Sequence, residues 1–108
     1  MKILIVDDKP EVRSVLQQLL EDHNITEASN GKEALDLFKL QVYDVVISDI
    51  EMPVMDGIEL LKSIKSIKPE QKVINMTANT NLTMQNIPGT HALLYKPFQF
   101  DELFKQLS

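Results

Sequence analysis

Polar residues that can do chemistry follow four of the apolar segments in this 108-residue chain. Asp7 and Asp8 follow the first such segment, Asp49 the third, Thr77 the fourth and Lys96 the fifth. An aspartate at the end of a strand most often caps the next helix, so each residue alone is weak evidence of function. If the segments are parallel strands, however, all five side chains meet at one edge of the sheet.

Three clustered carboxylates require a compensating cation. Two unit charges about 4 Å apart repel by roughly 4 kcal/mol at an effective dielectric constant near 20, so Asp7, Asp8 and Asp49 would destabilise an uncompensated fold. Lys96 can offset one of these charges, and a divalent cation can offset more. Ligands that are all oxygen, without His or Cys, favour Mg²⁺ over zinc. We therefore predict a magnesium site in which Asp8 holds the metal and Asp7 supports it.

The same residues suit phosphoryl transfer. Magnesium bound by one or two carboxylates keeps positions for water and for phosphate oxygens. Phosphoryl transfer needs a nucleophile in line, a metal on the equatorial oxygens and fixed hydrogen-bond donors. Asp49 is the candidate carboxylate nucleophile, and Lys96 and the Thr77 hydroxyl are candidate partners of the phosphoryl oxygens. The predicted intermediate is an aspartyl phosphate.

The elements that position these residues alternate between strands and helices. Five apolar segments predict strands, and helical stripes of apolar residues lie between them, so right-handed crossovers give a doubly wound parallel sheet with helices on both faces. We predict a flavodoxin-like fold with strand order 2-1-3-4-5, whose ligand site lies at the switch point between strands one and three. The predicted strands are Lys2 to Val6, Ile25 to Ser29, Asp44 to Ser48, Lys72 to Met76 and Ala92 to Tyr95, and the first helix runs from about Pro10 to Asp22.

The fourth helix is predicted to be short or irregular. Residues 79–90 are rich in Asn and Thr, which compete for backbone hydrogen bonds, and Pro88 and Gly89 close the segment. Length, composition and the absence of a linker predict a single domain over residues 1–108.

Composition excludes several classes of function. Eleven Lys and Arg against sixteen Asp and Glu give a formal net charge of −5, so direct binding to nucleic acid is not expected. The chain has no cysteine, which excludes thiol chemistry, and its apolar runs are too short to cross a bilayer. We expect a cytoplasmic protein.

Taken in order, the motifs of the whole chain resemble the response-regulator receiver domains of two-component signalling. They are the acidic pair Asp7-Asp8 after KILIV, the run DIEMPVMDG over residues 49–57, Thr77-Ala78 and Lys96-Pro97-Phe98. Each motif alone is common, but the combination at these strand ends is specific.

The resemblance implies a role for each site residue. Asp49 corresponds to the phosphoacceptor, while Asp8, Asp49 and the backbone carbonyl of Glu51 correspond to the Mg²⁺ ligands. Lys96 and Thr77 correspond to the residues that contact the phosphoryl group, and the Lys96–Pro97 bond to the family's cis peptide. The implied donor is a phosphohistidine on a sensor histidine kinase or a histidine phosphotransfer protein, and the signal then passes by contact with an unidentified downstream protein.

Two departures from the family pattern leave an alternative open. Receiver domains usually carry an aromatic residue three positions before the lysine, where this chain has Leu93, and Tyr95 stands one position before Lys96. This departure and the reduced fourth helix favour a pseudo-receiver, a binding module that acts without phosphorylation. The complete acid cluster argues against it. A metal-dependent phosphatase is disfavoured by the absence of Asp-x-Asp spacing and of a cap, and a flavin site by the acidic loop after the first strand.

Overall fold

The apolar segments form one parallel sheet. The computed structural model describes residues 1–98 and 100–108, and within them five strands lie in the order β2-β1-β3-β4-β5. This order confirms the predicted flavodoxin-like sheet. The strands are β1 (Lys2–Val6), β2 (Asn24–Ala28), β3 (Val45–Asp49), β4 (Lys72–Thr77) and β5 (Ala92–Tyr95).

Four α-helices connect or follow these strands in the described chain: α1 (Pro10–Leu19), α2 (Gly31–Leu40), α3 (Gly57–Ile67) and α4 (Phe100–Leu107). Each of the first three begins at a local signal. Pro10 is the first residue of α1. A backbone N–H at this position would have no acceptor within the helix, so the N–H that proline lacks costs no hydrogen bond. The side chains of Asn30 and Asp56 accept hydrogen bonds from the first free amides of α2 and α3. None of these helices has the length and apolar content needed to cross a membrane.

The helices cover both faces of the sheet, so the central strands are buried on both sides. Their sequences are therefore continuous apolar runs. On one face, β-strand residues such as Leu4 and Val46 pack with Leu60 and Ile64 of α3. On the other face, Ile5 and Ile47 pack in a second cluster that includes residues of α1 and α4. Helices thereby pack on both faces of the sheet, and the carboxyl ends of the strands form one edge of it.

Two segments bear on the sequence prediction. Helix α1 ends at Leu19, three residues before the predicted end, because the chain turns there and the His23 amide bonds the Leu20 carbonyl at 2.9 Å before β2 begins. Between β4 and β5, the described chain has one 3₁₀ turn, Met84–Asn86, in place of a full helix. The prediction of a short or irregular fourth helix is confirmed.

Candidate metal and phosphoryl site

The three predicted aspartates lie together at the carboxyl ends of β1 and β3. These strands are neighbours, with Val6 opposite Ser48, so the residues that follow meet at the same rim. Asp7, Asp8 and Asp49 each contribute one carboxylate oxygen to a group in which all oxygens lie within 4.8 Å of one another. Asp7 and Asp49 are buried, whereas Asp8 is partly exposed.

Lys96 inserts its ammonium between two of these carboxylates. Its Nζ donates a hydrogen bond to Asp7 Oδ2 at 3.0 Å and lies 3.3 Å from Asp49 Oδ2. Burial by itself lowers the pKa of Lys96, but the hydrogen bond to Asp7 and the charges of Asp49 and Asp7 outweigh it, so the pKa is raised. Lys96 therefore stays charged at neutral pH. The Lys96–Pro97 bond is cis, as the resemblance implied.

The pKa of Asp49 is raised above its ordinary value. Burial raises its pKa, the neighbouring charge of Asp7 raises it further, and Lys96 opposes both effects. Its Oδ1 accepts a hydrogen bond from the Ile50 amide at 3.0 Å, which fixes the rotation of the carboxylate. Its Oδ2 is buried and faces the Lys96 ammonium.

The electrostatics and the free oxygens fit a divalent cation. Lys96 pairs with two of the three carboxylates, Asp7 and Asp49, and the half-exposed Lys9 lies near the third, so three negative charges face two positive ones and negative charge remains in excess. Among the residues that the structure describes, Asp8 Oδ1 and Asp49 Oδ2 are buried carboxylate oxygens that accept no hydrogen bond. Such oxygens are costly unless a cation binds them. Hard oxygen donors without His or Cys suit Mg²⁺.

Two basic residues, Arg13 and Lys9, lie beside the acidic loop after β1, and Arg13 holds it in place. Arg13 donates to the backbone carbonyl of Asp7 at 2.7 Å and to Glu27 at 3.1 Å, which links α1 to the ends of β1 and β2. Lys9 lies 3.7 Å from Asp8 Oδ1, but its side chain is 54% exposed. Lys9 therefore points mainly to solvent. It reduces the electrostatic attraction between the Asp8 carboxylate and a cation only slightly.

Thr77 ends β4 on the other side of Asp49, because β4 pairs with β3 and places Met76 opposite Asp49. Its hydroxyl donates to Glu51 Oε2 at 2.8 Å, and the backbone amide of the next residue, Ala78, donates to Glu51 Oε1 at 3.1 Å. Sequence reasoning named the Glu51 carbonyl and gave the Glu51 side chain no part in the site. The sequence signal for this contact is an acid two residues after Asp49.

Gly57 sets the distance between α3 and the site. A Cβ at this position would lie 2.2 Å from the Asp49 carbonyl oxygen and 2.7 Å from the Ile50 Cα, both backbone atoms that cannot move aside. The Gly57 amide also bonds the Ile50 carbonyl at 2.9 Å. The sequence assigned Gly57 to a turn, and the structure adds that its missing side chain lets α3 start directly against Asp49.

Leu93 stands where receiver domains usually carry an aromatic residue, and Tyr95 lies on the same face of β5. Leu93 is partly buried against the core on the α2 and α3 side of the sheet. Tyr95 is 39% exposed, and its hydroxyl donates to the Leu82 carbonyl at 2.5 Å in the segment between β4 and β5. An aromatic ring therefore contacts this segment from the position next to Lys96.

The family follows from a comparison with known domains. The model of the response regulator receiver domain matches residues 3–108. The chain belongs to the response regulator receiver family. Phosphoacceptor signalling in two-component systems is the function that goes with this receiver domain, and the pseudo-receiver alternative is not favoured.

Curated relatives show the same domain in two settings. Sporulation initiation phosphotransferase F of Bacillus subtilis is 41% identical over 107 residues, which cover 94% of this chain and 86% of that protein. The transcriptional regulatory protein ZraR of Escherichia coli is 41% identical over 106 residues, but they make up only 24% of ZraR. The receiver domain thus spans nearly all of one relative and about a quarter of the other.

Solved structures of similar chains contain the expected ion. The response regulator TrrA of Thermotoga maritima, in complex with Mg²⁺ and BeF, has a TM-score of 0.90 and 37% identity and covers 99% of this chain and 98% of its own. The receiver domain of the sensor histidine kinase PA1611 from Pseudomonas aeruginosa, with magnesium in its active site cleft, has a TM-score of 0.89 and 27% identity over 98% of this chain and 93% of its own. Together with the aspartate cluster, these structures support Mg²⁺ binding by this receiver domain.

Proposed function

We propose that this receiver domain accepts a phosphoryl group on Asp49 from a phosphohistidine and transmits the signal through contact with another protein. The observation that carries the proposal is the state of Asp49 Oδ2. This buried oxygen faces Lys96 at 3.3 Å and accepts no hydrogen bond in the described part of the chain. It is therefore available to attack phosphorus.

Bound Mg²⁺ would neutralise charge on the phosphoryl oxygens and hold them in line. The proposed ligands are Asp8, Asp49 and the backbone carbonyl of Glu51, with Asp7 in support. The buried oxygen Asp8 Oδ1, which accepts no hydrogen bond in the described part of the chain, supports the assignment of Asp8 as a ligand.

The chain's own residues account for the remaining steps of the transfer. A bond forms between an Asp49 carboxylate oxygen and phosphorus as the bond from phosphorus to the donor imidazole nitrogen breaks. The imidazole keeps that electron pair, and the product is an acyl phosphate. We propose that Lys96 pairs with one phosphoryl oxygen and that the Thr77 hydroxyl donates to another.

A groove beside the site offers a surface for the phosphohistidine-bearing protein. It lies between α1 and the start of α4 and runs up to Lys96, and its walls are mainly apolar. Val15 and Phe100 are 46% and 41% exposed there. A sensor histidine kinase or a histidine phosphotransfer protein could bury these side chains while it presents its histidine to Asp49. We propose that this exchange takes place in the cytoplasm.

Intact-mass measurement tests the proposal. The protein is incubated with a small acyl phosphate and Mg²⁺, and its mass is followed over time. We expect a gain of one phosphoryl group that hydroxylamine removes, that chelation of Mg²⁺ prevents and that the Asp49→Asn variant does not show. No adduct with any phosphodonor, or an equal adduct on Asp49→Asn, would overturn it.

A further inference from the structure

The Glu51 side chain spans two hydrogen-bond donors at the mouth of the site. Its two carboxylate oxygens accept separately, one from the Thr77 hydroxyl at 2.8 Å and the other from the Ala78 amide at 3.1 Å. Glu51 is otherwise exposed, so packing does not hold it in this place. The two contacts themselves account for its position.

The two donors have no spare capacity. A hydroxyl carries one proton and a backbone amide carries one, so each can serve a single strong acceptor at a time. The Thr77 oxygen already accepts from the Asn79 amide at 3.0 Å, which leaves its proton for the site. Any anion that needs the Thr77 and Ala78 donors must therefore displace the Glu51 carboxylate.

The geometry points to an internal competitor. We propose that the Glu51 carboxylate occupies the Thr77 hydroxyl that a phosphoryl group on Asp49 would use, together with the adjacent Ala78 amide, and that it must leave before the acyl phosphate is fully bound. The proposal rests on the proposed function of Asp49 and adds a residue that limits how tightly the site holds a phosphoryl group. A carboxylate carries two oxygens at a spacing that can serve two donors, as two oxygens of a phosphoryl group do.

Three variants distinguish competition through the direct contacts of Glu51 from simple charge repulsion between Glu51 and the phosphoryl group. Glu51→Ala removes both the charge and the contact, and Glu51→Asp keeps the charge on a side chain one methylene shorter. The control is Glu11→Gln, since Glu11 lines the groove beside Ala78 and Lys96 and lies in the first turn of α1. All three variants retain the backbone carbonyl of residue 51.

The first measurement needs neither metal nor phosphate. In the metal-free protein, the Ala78 amide proton resonance reports directly on the bond to the Glu51 carboxylate. We expect it to move upfield, with hydrogen exchange about five times faster or more, in Glu51→Ala and Glu51→Asp. We expect no change in Glu11→Gln. An Ala78 amide that behaves alike in all four proteins would show that the contact does not exist in solution.

The second measurement is the affinity for beryllofluoride with Mg²⁺, which mimics the phosphoryl group. We expect about five- to tenfold tighter binding for Glu51→Ala and a gain of at least about threefold for Glu51→Asp, with Glu11→Gln within about twofold of the wild type. A Glu51→Asp variant equal to the wild type, beside a tighter Glu51→Ala, would reduce the effect to charge and overturn the proposal. Equal affinity in all variants would also overturn it.

The two failures are distinguishable. If the wild type forms an aspartyl phosphate but the Glu51 variants match the Glu11 control, competition by Glu51 is wrong and the proposed function stands. If the wild type neither binds beryllofluoride nor forms an adduct, the proposed function is wrong, and the competition proposal falls with it.

Discussion

The ammonium of Lys96 lies 3.3 Å from Asp49 Oδ2, although the two residues are 47 positions apart along the chain. Asp49 ends β3 and Lys96 follows β5, and β4 lies between these two strands in the sheet. Lys96 therefore reaches across the end of β4, and its second contact, to Asp7 at 3.0 Å, extends to β1. One cation thus links the ends of three strands.

Loss of Lys96 should destabilise the metal-free protein. In Lys96→Met, the carboxylates of Asp7 and Asp49 remain buried without their ammonium partner. We expect a loss of about 2 kcal/mol or more in the free energy of unfolding, measured by urea titration. Saturating Mg²⁺ should stabilise both proteins, by about 2.7 kcal/mol for ligand at 100 times its Kd. It should also reduce the loss in Lys96→Met relative to the wild type, because the carboxylates of the variant have no ammonium partner and bind the cation more strongly.

The exposed Lys105 in α4 provides the control. Lys105→Met should change the free energy of unfolding by less than about 0.5 kcal/mol. Similar losses in both variants, or a loss in Lys96→Met that Mg²⁺ leaves unchanged, would contradict the electrostatic role of Lys96.

Asp49→Asn should stabilise the metal-free protein at neutral pH. Burial and the charge of Asp7 raise the pKa of Asp49 in the folded state above its value in the unfolded chain. The folded state therefore binds the proton more tightly, and the free energy of unfolding falls as pH rises through the interval between the two pKa values. The asparagine removes this penalty, so we expect a gain of about 1 kcal/mol at about pH 7.5 that disappears at about pH 4.

Urea titrations at several pH values, with exposed Asp36→Asn as the control, check this prediction. The gain must decrease toward acid pH. A gain that is constant with pH, or a destabilised Asp49→Asn at neutral pH, would show that the buried charge is not the cause.

Gly57→Ala should be among the most damaging small substitutions. The new methyl group would overlap the Asp49 carbonyl oxygen and the Ile50 Cα, so α3 or the end of β3 must shift. We expect a loss of about 2–3 kcal/mol in unfolding free energy and weaker Mg²⁺ binding. Gly89→Ala is the comparison, because its positive φ of 94° strains an alanine while the nearest atoms are the flexible side chain of Lys65. Gly89→Ala should lose only about 1 kcal/mol and leave Mg²⁺ affinity unchanged.

Tyr95→Phe should loosen the segment between β4 and β5. The substitution removes the bond from the tyrosine hydroxyl to the Leu82 carbonyl and keeps the ring. Because the contact is partly exposed, we expect a global loss of only about 0.5 kcal/mol, together with faster amide exchange confined to residues 79–90. Tyr43→Phe, which alters the partner of Gln41 near the start of β3, should leave exchange in residues 79–90 unchanged. Equal exchange in the wild type and Tyr95→Phe would show that the tyrosine does not hold this segment.

Much of this structure could be predicted from local patterns. The continuous apolar runs of β1 and β3 identified buried parallel strands, and alternation with helices then left few arrangements, among which the five strands favoured the order 2-1-3-4-5. That order alone predicted that Asp7, Asp8 and Asp49 lie close together. The Asn- and Thr-rich composition of residues 79–90 likewise predicted a reduced helix, and a single 3₁₀ turn is present there.

The features that the sequence did not predict depend on the directions of side chains and on close contacts between backbone segments. The Glu51 carboxylate reaches Thr77 across 26 positions of chain, and no periodicity specifies that rotamer. The contact of Gly57 with the Asp49 carbonyl depends on the exact path of the loop between β3 and α3. The end of α1 was placed too late, because the apolar stripe continues into Leu20, which is buried although it follows the helix.

Chemical mapping of the phosphorylated residue tests the central claim most directly. The protein is treated with an acyl phosphate and Mg²⁺ and then with borohydride, which reduces an aspartyl phosphate to homoserine, and its peptides are sequenced by mass spectrometry. We predict homoserine at position 49 alone, and none when Mg²⁺ is chelated. Homoserine at position 7 or 8 with residue 49 unmodified would contradict the assignment of Asp49 as the phosphoacceptor.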